Sequence, residues 1–225
     1  MKSRTKTAPK PKSPRPPKVA ATNDRAPTEE AAKDPTTRLL HAALDEIERH
    51  GLAHLTVRSV AAAADVNIAA VNYYFRSKDA LVAAALKGSI DHVAADTEPL
   101  LARMDDEPEE ALTELLGYLL EGSLRFPRVS KAHLHEAFVD GEYGGPFPKL
   151  FASILLRARA SLRKAVPGLG EEAASARLVA AFSAMFFPAF FTGFFAPLRA
   201  LQTPADRAAY AREAARRALA PAAGT

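Results

Sequence analysis

The chain has 225 residues, of which 48% are apolar and 25% charged, the balance of a soluble globular protein. It contains no cysteine, which excludes disulfides, thiolate zinc sites and thiol nucleophiles and fits a reducing compartment. The net charge of +4 is unevenly spread: Lys2, Arg4, Lys6, Lys10, Lys12, Arg15 and Lys18 stand together with no acid among them, and the remaining 23 basic and 26 acidic side chains carry −3.

Residues 1–33 are rich in Pro, Lys, Ala and Thr and nearly lack large apolar side chains, so a disordered basic tail is expected there. No apolar run follows the basic start, so it does not read as a secretory signal. Such a tail either solubilises the chain or adds contacts to nucleic-acid phosphates. From Asp34 onward the pattern is helical, without strand-like alternation. Asp34 and Pro35 start the first helix, Leu40, Leu44 and Ile47 share its apolar face with Leu39 and Ala43 beside them, and Gly51 ends it. Thr56 caps a short helix to about Ala64, Asn67 caps another over 68–75, and Ser77 opens a long one to about Met104. Leu81, Ala85, Ile90 and Val93 form the core stripe of that long helix. The sequence DDEP at 105–108 breaks the chain, and Leu112, Leu115, Leu116, Leu119 and Leu120 mark the next helix. Phe126 and Pro127 end it and start one running through Phe138. After the loop DGEYGGPFP at 140–148, helices are expected over about 149–165, 171–195 and 204–219.

The stretch TVRSVAAAADVNIAAVNYYF, residues 56–75, has the spacing of a helix-turn-helix: two helices of about two turns joined by Asp65, Val66 and Asn67. Asp65 serves where the turn needs a residue tolerant of the left-handed region. Val60, Ala61 and Ala64 let the second helix pack closely, and Ile68, Val71 and Phe75 are spaced to anchor it inward. Ala69, Ala70, Asn72, Tyr73 and Tyr74 are left outside, on a helix able to lie in a major groove.

This stretch, continued through RSKDAL, resembles the tetracycline-repressor (TetR) family of bacterial transcription regulators, and the resemblance runs from about Thr37 through Leu86. Asp65, Asn67, Ala69 and Asn72 depart from the residues most common at those positions of the pattern. The resemblance implies that Lys78 and Tyr74 hold phosphates, with Thr56 doing so at the start of the preceding helix. Arg58 would reach a phosphate or a guanine, Asn72 and Tyr73 would meet base edges or backbone, and Asn67, Ile68, Ala69 and Ala70 would line the close approach at the helix start. It also implies double-stranded operator DNA as partner, a twofold homodimer built from two late helices of each subunit, and a cytoplasmic protein found on the nucleoid. The domain from Asp34 to Asp79 is not itself basic: Arg38, Arg49, Arg58, Arg76 and Lys78 are outnumbered by Asp34, Asp45, Glu46, Glu48, Asp65 and Asp79.

Residues 178–198, LVAAFSAMFFPAFFTGFFAPL, carry no charge and match a bilayer in length. Pro188, Gly193 and Pro197 interrupt the run, and Phe alternates with small residues as in a packed core, so membrane insertion is the weaker reading. Met185, Phe186 and Phe190, with Phe138, Phe147 and Phe151, are candidates for an apolar pocket, to which Glu136 and Tyr143 add polar contacts; a small hydrophobic or aromatic ligand would suit it. His133, His135 and Glu136 are close in sequence, but His135 points elsewhere on a helix, so no metal site is expected. There is no Gly-rich phosphate loop, G-x-S-x-G or H-E-x-x-H, so neither an enzyme nor a cofactor is expected.

The expected architecture is therefore all-α: a disordered tail over 1–33, an N-terminal three-helix helix-turn-helix DNA-binding domain over 34–86, and a C-terminal helical bundle over 87–225 for dimerisation and ligand binding. The function it implies is sequence-specific control of transcription, most often repression relieved by a ligand. The alternatives are a DNA-binding dimer controlled by a protein partner or by concentration, and a membrane-associated helical protein.

Overall fold

The computed structural model describes residues 34–222; the expected basic tail lies outside them. Among the described residues there are eleven α-helices and no strand. In chain order they are α1 (Pro35–His50), α2 (Val57–Ala63), α3 (Ile68–Phe75), α4 (Lys78–Arg103), α5 (Pro108–Arg125), α6 (Pro127–His133), α7 (His135–Val139), α8 (Pro146–Ala165), α9 (Glu171–Phe190), α10 (Thr192–Phe195) and α11 (Pro204–Leu219).

Helix starts follow short-range chemistry. Asp34 accepts from the Thr37 amide at 3.0 Å, the Thr56 hydroxyl from the Ser59 amide at 3.0 Å, Asn67 from the Ala69 amide at 2.8 Å and Ser77 from the Ala80 amide at 3.0 Å. Ser59 answers Thr56 by accepting from its amide at 3.3 Å, closing a capping box. Gly51, at φ +85°, ends α1.

Three expected boundaries move. The helix after Pro127 does not run to Phe138: it breaks at Leu134 into α6 and α7, which sends residues 135–139 off on a new course. Helix α8 starts at Pro146 rather than near Lys149, because proline fits the first helical turn. Helix α9 passes through Pro188, ends at Phe190 and is followed after Phe191 by the short α10. Pro188 has no N–H for the Ala184 carbonyl, and the Tyr210 hydroxyl of α11 donates to that carbonyl instead, at 2.9 Å.

Two apolar clusters organise the chain. The larger joins the end of α4 to α5, α8, α9 and α11, with Leu115, Leu116, Leu120, Ile154, Phe182 and Met185 at its centre. Ala211, Ala214, Ala215 and Ala218 let α11 lie close against α5 and α9. Arg177 of α9 closes the far end of α11 by donating to the carbonyls of Ala218, Ala220 and Pro221. The smaller cluster holds Leu39, Ala43, Ile47, Leu55, Val60, Val71 and Leu81, and it takes in Val129 and Ala132 from α6. The buried face of α1 is thus centred on Leu39, Ala43 and Ile47, while Leu40 and Leu44, expected on the core face, are only half-buried. Helix α4 belongs to both clusters, through Leu81 and Ala85 at one end and Leu101 at the other.

Candidate nucleic-acid interface and interior cavity

The α2–α3 turn is closed by backbone bonds. The Val66 amide reaches the Ala61 carbonyl at 3.0 Å and the Asp65 amide the Ala62 carbonyl at 3.2 Å, the pair that ends a helix on a left-handed residue. Asp65 is that residue, at φ +52°. Arg76 takes the same region at φ +62° just past α3, where the sequence places a sharp stop without a glycine to make it.

Between these turns α3 is held by Val71, which is fully buried, and by Phe75, which is half-buried. Ile68 is not an inward anchor: at the first position of α3 it is 45% exposed. Asn67, Ala69, Asn72, Tyr73 and Tyr74 are exposed, and Ala70 is half-buried. Tyr73 is 80% exposed and meets Tyr74 edge-on, ring centroids 5.2 Å apart. Thr56 and Arg58 are exposed near the start of α2, and Lys78 is half-buried at the start of α4. The Thr56 oxygen accepts from Ser59, so its hydroxyl proton remains available to an acceptor such as a phosphate. Asn67 uses its carbonyl oxygen on Ala69, leaving its amide NH₂ as donor. The α3 surface is therefore a small, rigid set of hydroxyl, amide and ring groups.

Residues 39–85 match the sequence profile of the family described as bacterial regulatory proteins, tetR family. Over these residues the chain is similar to the TetR family. A similar protein, an HTH-type transcriptional regulator in the dhlA 5′ region of Xanthobacter autotrophicus, is 37% identical over 91 residues, which cover 38% of this chain and 45% of that protein. The chain thus spans under half the length of that relative. Among solved structures, a TetR-family transcriptional regulator from Mesorhizobium loti superposes with a TM-score of 0.66 at 16% identity, covering 86% of this chain and 98% of that one. A TetR transcription regulator from Haloarcula marismortui superposes with a TM-score of 0.60 at 22% identity, covering 82% and 96%. These structural likenesses show a common fold along nearly the whole of the two solved chains.

A cavity of about 700 Å³ lies where α1, α4, α5 and α6 meet the aromatic ends of α8 and α9. Phe147, Phe186 and Phe190 line it. Phe151 sits behind them, its ring 6.0 Å from Phe147 and 5.3 Å from Phe186. Met185 is fully buried in the bundle core and does not line the cavity. Glu136, Phe138 and Tyr143 are also not in its wall: all three are exposed, on α7 and in the loop beyond the break at Leu134.

The wall also carries polar residues outside the expected pocket set, among them Ser89, Asp96, Tyr118 and His133. His133 stacks on Phe147 with ring centroids 5.8 Å apart and lies 2.9 Å from the Ser89 hydroxyl. The Ser89 hydroxyl is also 3.1 Å from the Leu86 carbonyl, a second partner for its proton. Burial pushes the His133 pKa down to about 4, so the ring is neutral at physiological pH. Across the cavity wall the Tyr118 hydroxyl donates to Asp96 at 2.9 Å, and burial together with that carboxylate raises the Tyr118 pKa. His133 had a sequence signal, since it follows Val129 by four positions on the inward side of α6; Asp96 and Tyr118 had none.

Proposed function

We propose that this protein is a sequence-specific, DNA-binding transcriptional repressor that acts as a homodimer and is released from its operator by a small, largely apolar ligand. The observation that carries the DNA-binding part is the α3 surface: Val71 fixes the helix from behind while Asn72, Tyr73 and Tyr74 stand free on its other side. Asn72 and Tyr73 read base edges, while Tyr74, Thr56 and Lys78 hold phosphates and Arg58 adds a charge at the groove. The basic tail adds sequence-independent attraction, compensating for a domain without a basic excess of its own.

The dimer reading rests on α9. Ala173, Ala176, Ala180, Ser183 and Phe187 are exposed at alternating spacings of three and four, a stripe of small residues on which a second copy can lie close. Helix α11 contributes the rim, because its alanines face its own core and Arg212, Glu213, Arg216 and Arg217 point outward. Two such subunits would set their recognition helices about 34–36 Å apart, one turn of DNA. The ligand reading rests on the cavity, whose wall combines Phe147, Phe186 and Phe190 with a few polar groups. A ligand changes DNA affinity by the difference in its own affinity for the bound and released arrangements of the bundle.

The test is fluorescence-anisotropy titration of DNA from beside the protein's own gene, with wild type and Tyr73→Ala, across a salt series. Tight binding by wild type, weakened about tenfold or more in the variant at every salt concentration, is the expected outcome. Weak, salt-sensitive binding that Tyr73→Ala leaves unchanged would place the contact in the tail and remove α3 as the reader.

A further inference from the structure

The cavity crosses the joint between the two apolar clusters. Leu40, Leu44 and Glu48 of α1 form part of its wall, and Val129, Ser130 and His133 of α6 form another part. Helix α1 belongs to the helix-turn-helix core. Helix α6 follows α5 in the bundle yet inserts Val129 and Ala132 into that same N-terminal core. An occupant of the cavity therefore touches the DNA-binding domain directly, through α1, and touches the element by which the bundle grips it.

That grip is reciprocal. Glu48 accepts from the backbone amides of Arg128 and Val129, each at 3.1 Å. These are amides of the first turn of α6, a helix whose own preceding residue, Phe126, offers no capping side chain. In return, the Arg128 guanidinium donates to the Glu48 carbonyl at 3.3 Å and to the Arg49 carbonyl, in the last turn of α1, where helical carbonyls lack internal partners. Each helix end thus caps the other. A glutamate in the last turn of α1 opposes that helix's own dipole, and the amides of α6 are what offset it. Glu48 consequently has a use between the two elements and none within its own.

We propose that the Glu48–Arg128 pair is the coupling latch of the protein: it sets the orientation of the helix-turn-helix domain against the bundle, and an occupant of the cavity acts on DNA affinity by displacing it. This rests on the ligand-responsive reading above and adds the route by which the ligand acts. Glu48 lines the cavity and Arg128 does not, so Arg128→Ala removes the bonds to the α1 carbonyls, keeps those of Glu48 to the α6 amides, and leaves the wall that a ligand meets unaltered. Glu48 and Arg128 are positioning residues, since neither belongs to the α3 surface.

The test uses the full chain, the same DNA, and N-phenyl-1-naphthylamine as a neutral, fluorescent, apolar probe of the cavity. Wild type, Arg128→Ala, Glu48→Ala and the double variant are first matched for helix content by circular dichroism. Without probe, each single variant is expected to shift DNA affinity by about threefold or more in the same direction, and the double variant, which alone loses both sets of bonds, to shift it further. With probe, wild-type DNA affinity is expected to fall by about fivefold or more. Arg128→Ala is expected to bind the probe as wild type does and to show a smaller further change in DNA affinity than wild type, because part of the latch is already open. DNA affinities equal to wild type in all three variants without probe would overturn the latch. So would a probe response in Arg128→Ala as large as in wild type, and in that case the ligand reading would stand. If wild type neither binds the probe nor responds to it, the ligand reading loses its support, and the probe-free comparison alone decides whether the latch orients the domain.

Discussion

His133 shows how one side chain in this protein answers to two environments. Its ring lies between the Phe147 face and the Ser89 hydroxyl, out of contact with bulk water on most sides, and charging it there is unfavourable. The folded-state pKa of about 4 lies below the value near 6.5 expected in the unfolded chain. Between those two pH values the unfolded chain holds more protons, so stability rises with pH through that window and is lost as pH falls through it. The loss amounts to about 3 kcal/mol once pH is below the folded-state value. The melting temperature of wild type is therefore expected to fall between pH 6.5 and 4 by more than that of His133→Gln, measured in parallel by calorimetry. Equal slopes for the two proteins would mean that His133 is solvated in the folded state. Asp65 is a residue-scale case of a different kind: it occupies the left-handed position of the α2–α3 turn, where its short polar side chain costs less than most.

At the scale of elements, α9 is the instructive one. It is the one helix among the described residues long and apolar enough by composition to cross a membrane, and it is built into the bundle through Leu178, Phe182, Met185 and Ala189. Its proline does not break it, because the carbonyl that Pro188 leaves unpaired meets a hydroxyl from α11. Burial raises the Tyr210 pKa, so that hydroxyl remains a donor throughout the neutral range. Replacing Tyr210 with Phe keeps the ring and strands the Ala184 carbonyl. The expected cost is about 1–3 kcal/mol in chemical denaturation, with unchanged helix content. Urea midpoints identical to wild type would show that water satisfies the carbonyl equally well.

For the whole molecule the decisive surface is the outward side of α9 and the turns that follow it. Phe194 and Leu198 are more than 70% exposed, and Phe187 continues the same apolar area along α9. An apolar area of this extent, next to a stripe of small residues, is unusual on a protein that works as a single chain. If the proposed dimer forms on this face, wild type is a dimer in light scattering at micromolar concentration and Phe187→Glu is a monomer. It should also weaken DNA binding by about a hundredfold or more, since each subunit then reads its half-site alone. A dimer that persists in the variant with wild-type affinity would move the interface elsewhere, to the charged face of α11 or to α8.

Much of the fold was legible because its signals are short-ranged. Asp34, Thr56, Asn67 and Ser77 each bond an amide two or three residues away, and those four caps mark the helix starts without help from distant chain. The 56–75 stretch specified its turn and the exposed tyrosines in the same local way, and the leucines of α5 specified its buried face. Tertiary structure decided the rest. Periodicity says that α1 has an apolar side but not which of Leu39 and Leu40 the neighbouring helices cover, and packing left Leu40 and Leu44 to the cavity. The break at Leu134, which removed Glu136, Phe138 and Tyr143 from the cavity wall, has no proline or glycine to announce it. The contacts of Glu48 with Arg128, of His133 with Ser89 and of Tyr210 with Ala184 join residues 26 to 80 positions apart. Such pairs form only when helices cross at particular angles and offsets. Those are set by the shapes of all the packed side chains together, not by the helical period or capping chemistry of any one segment.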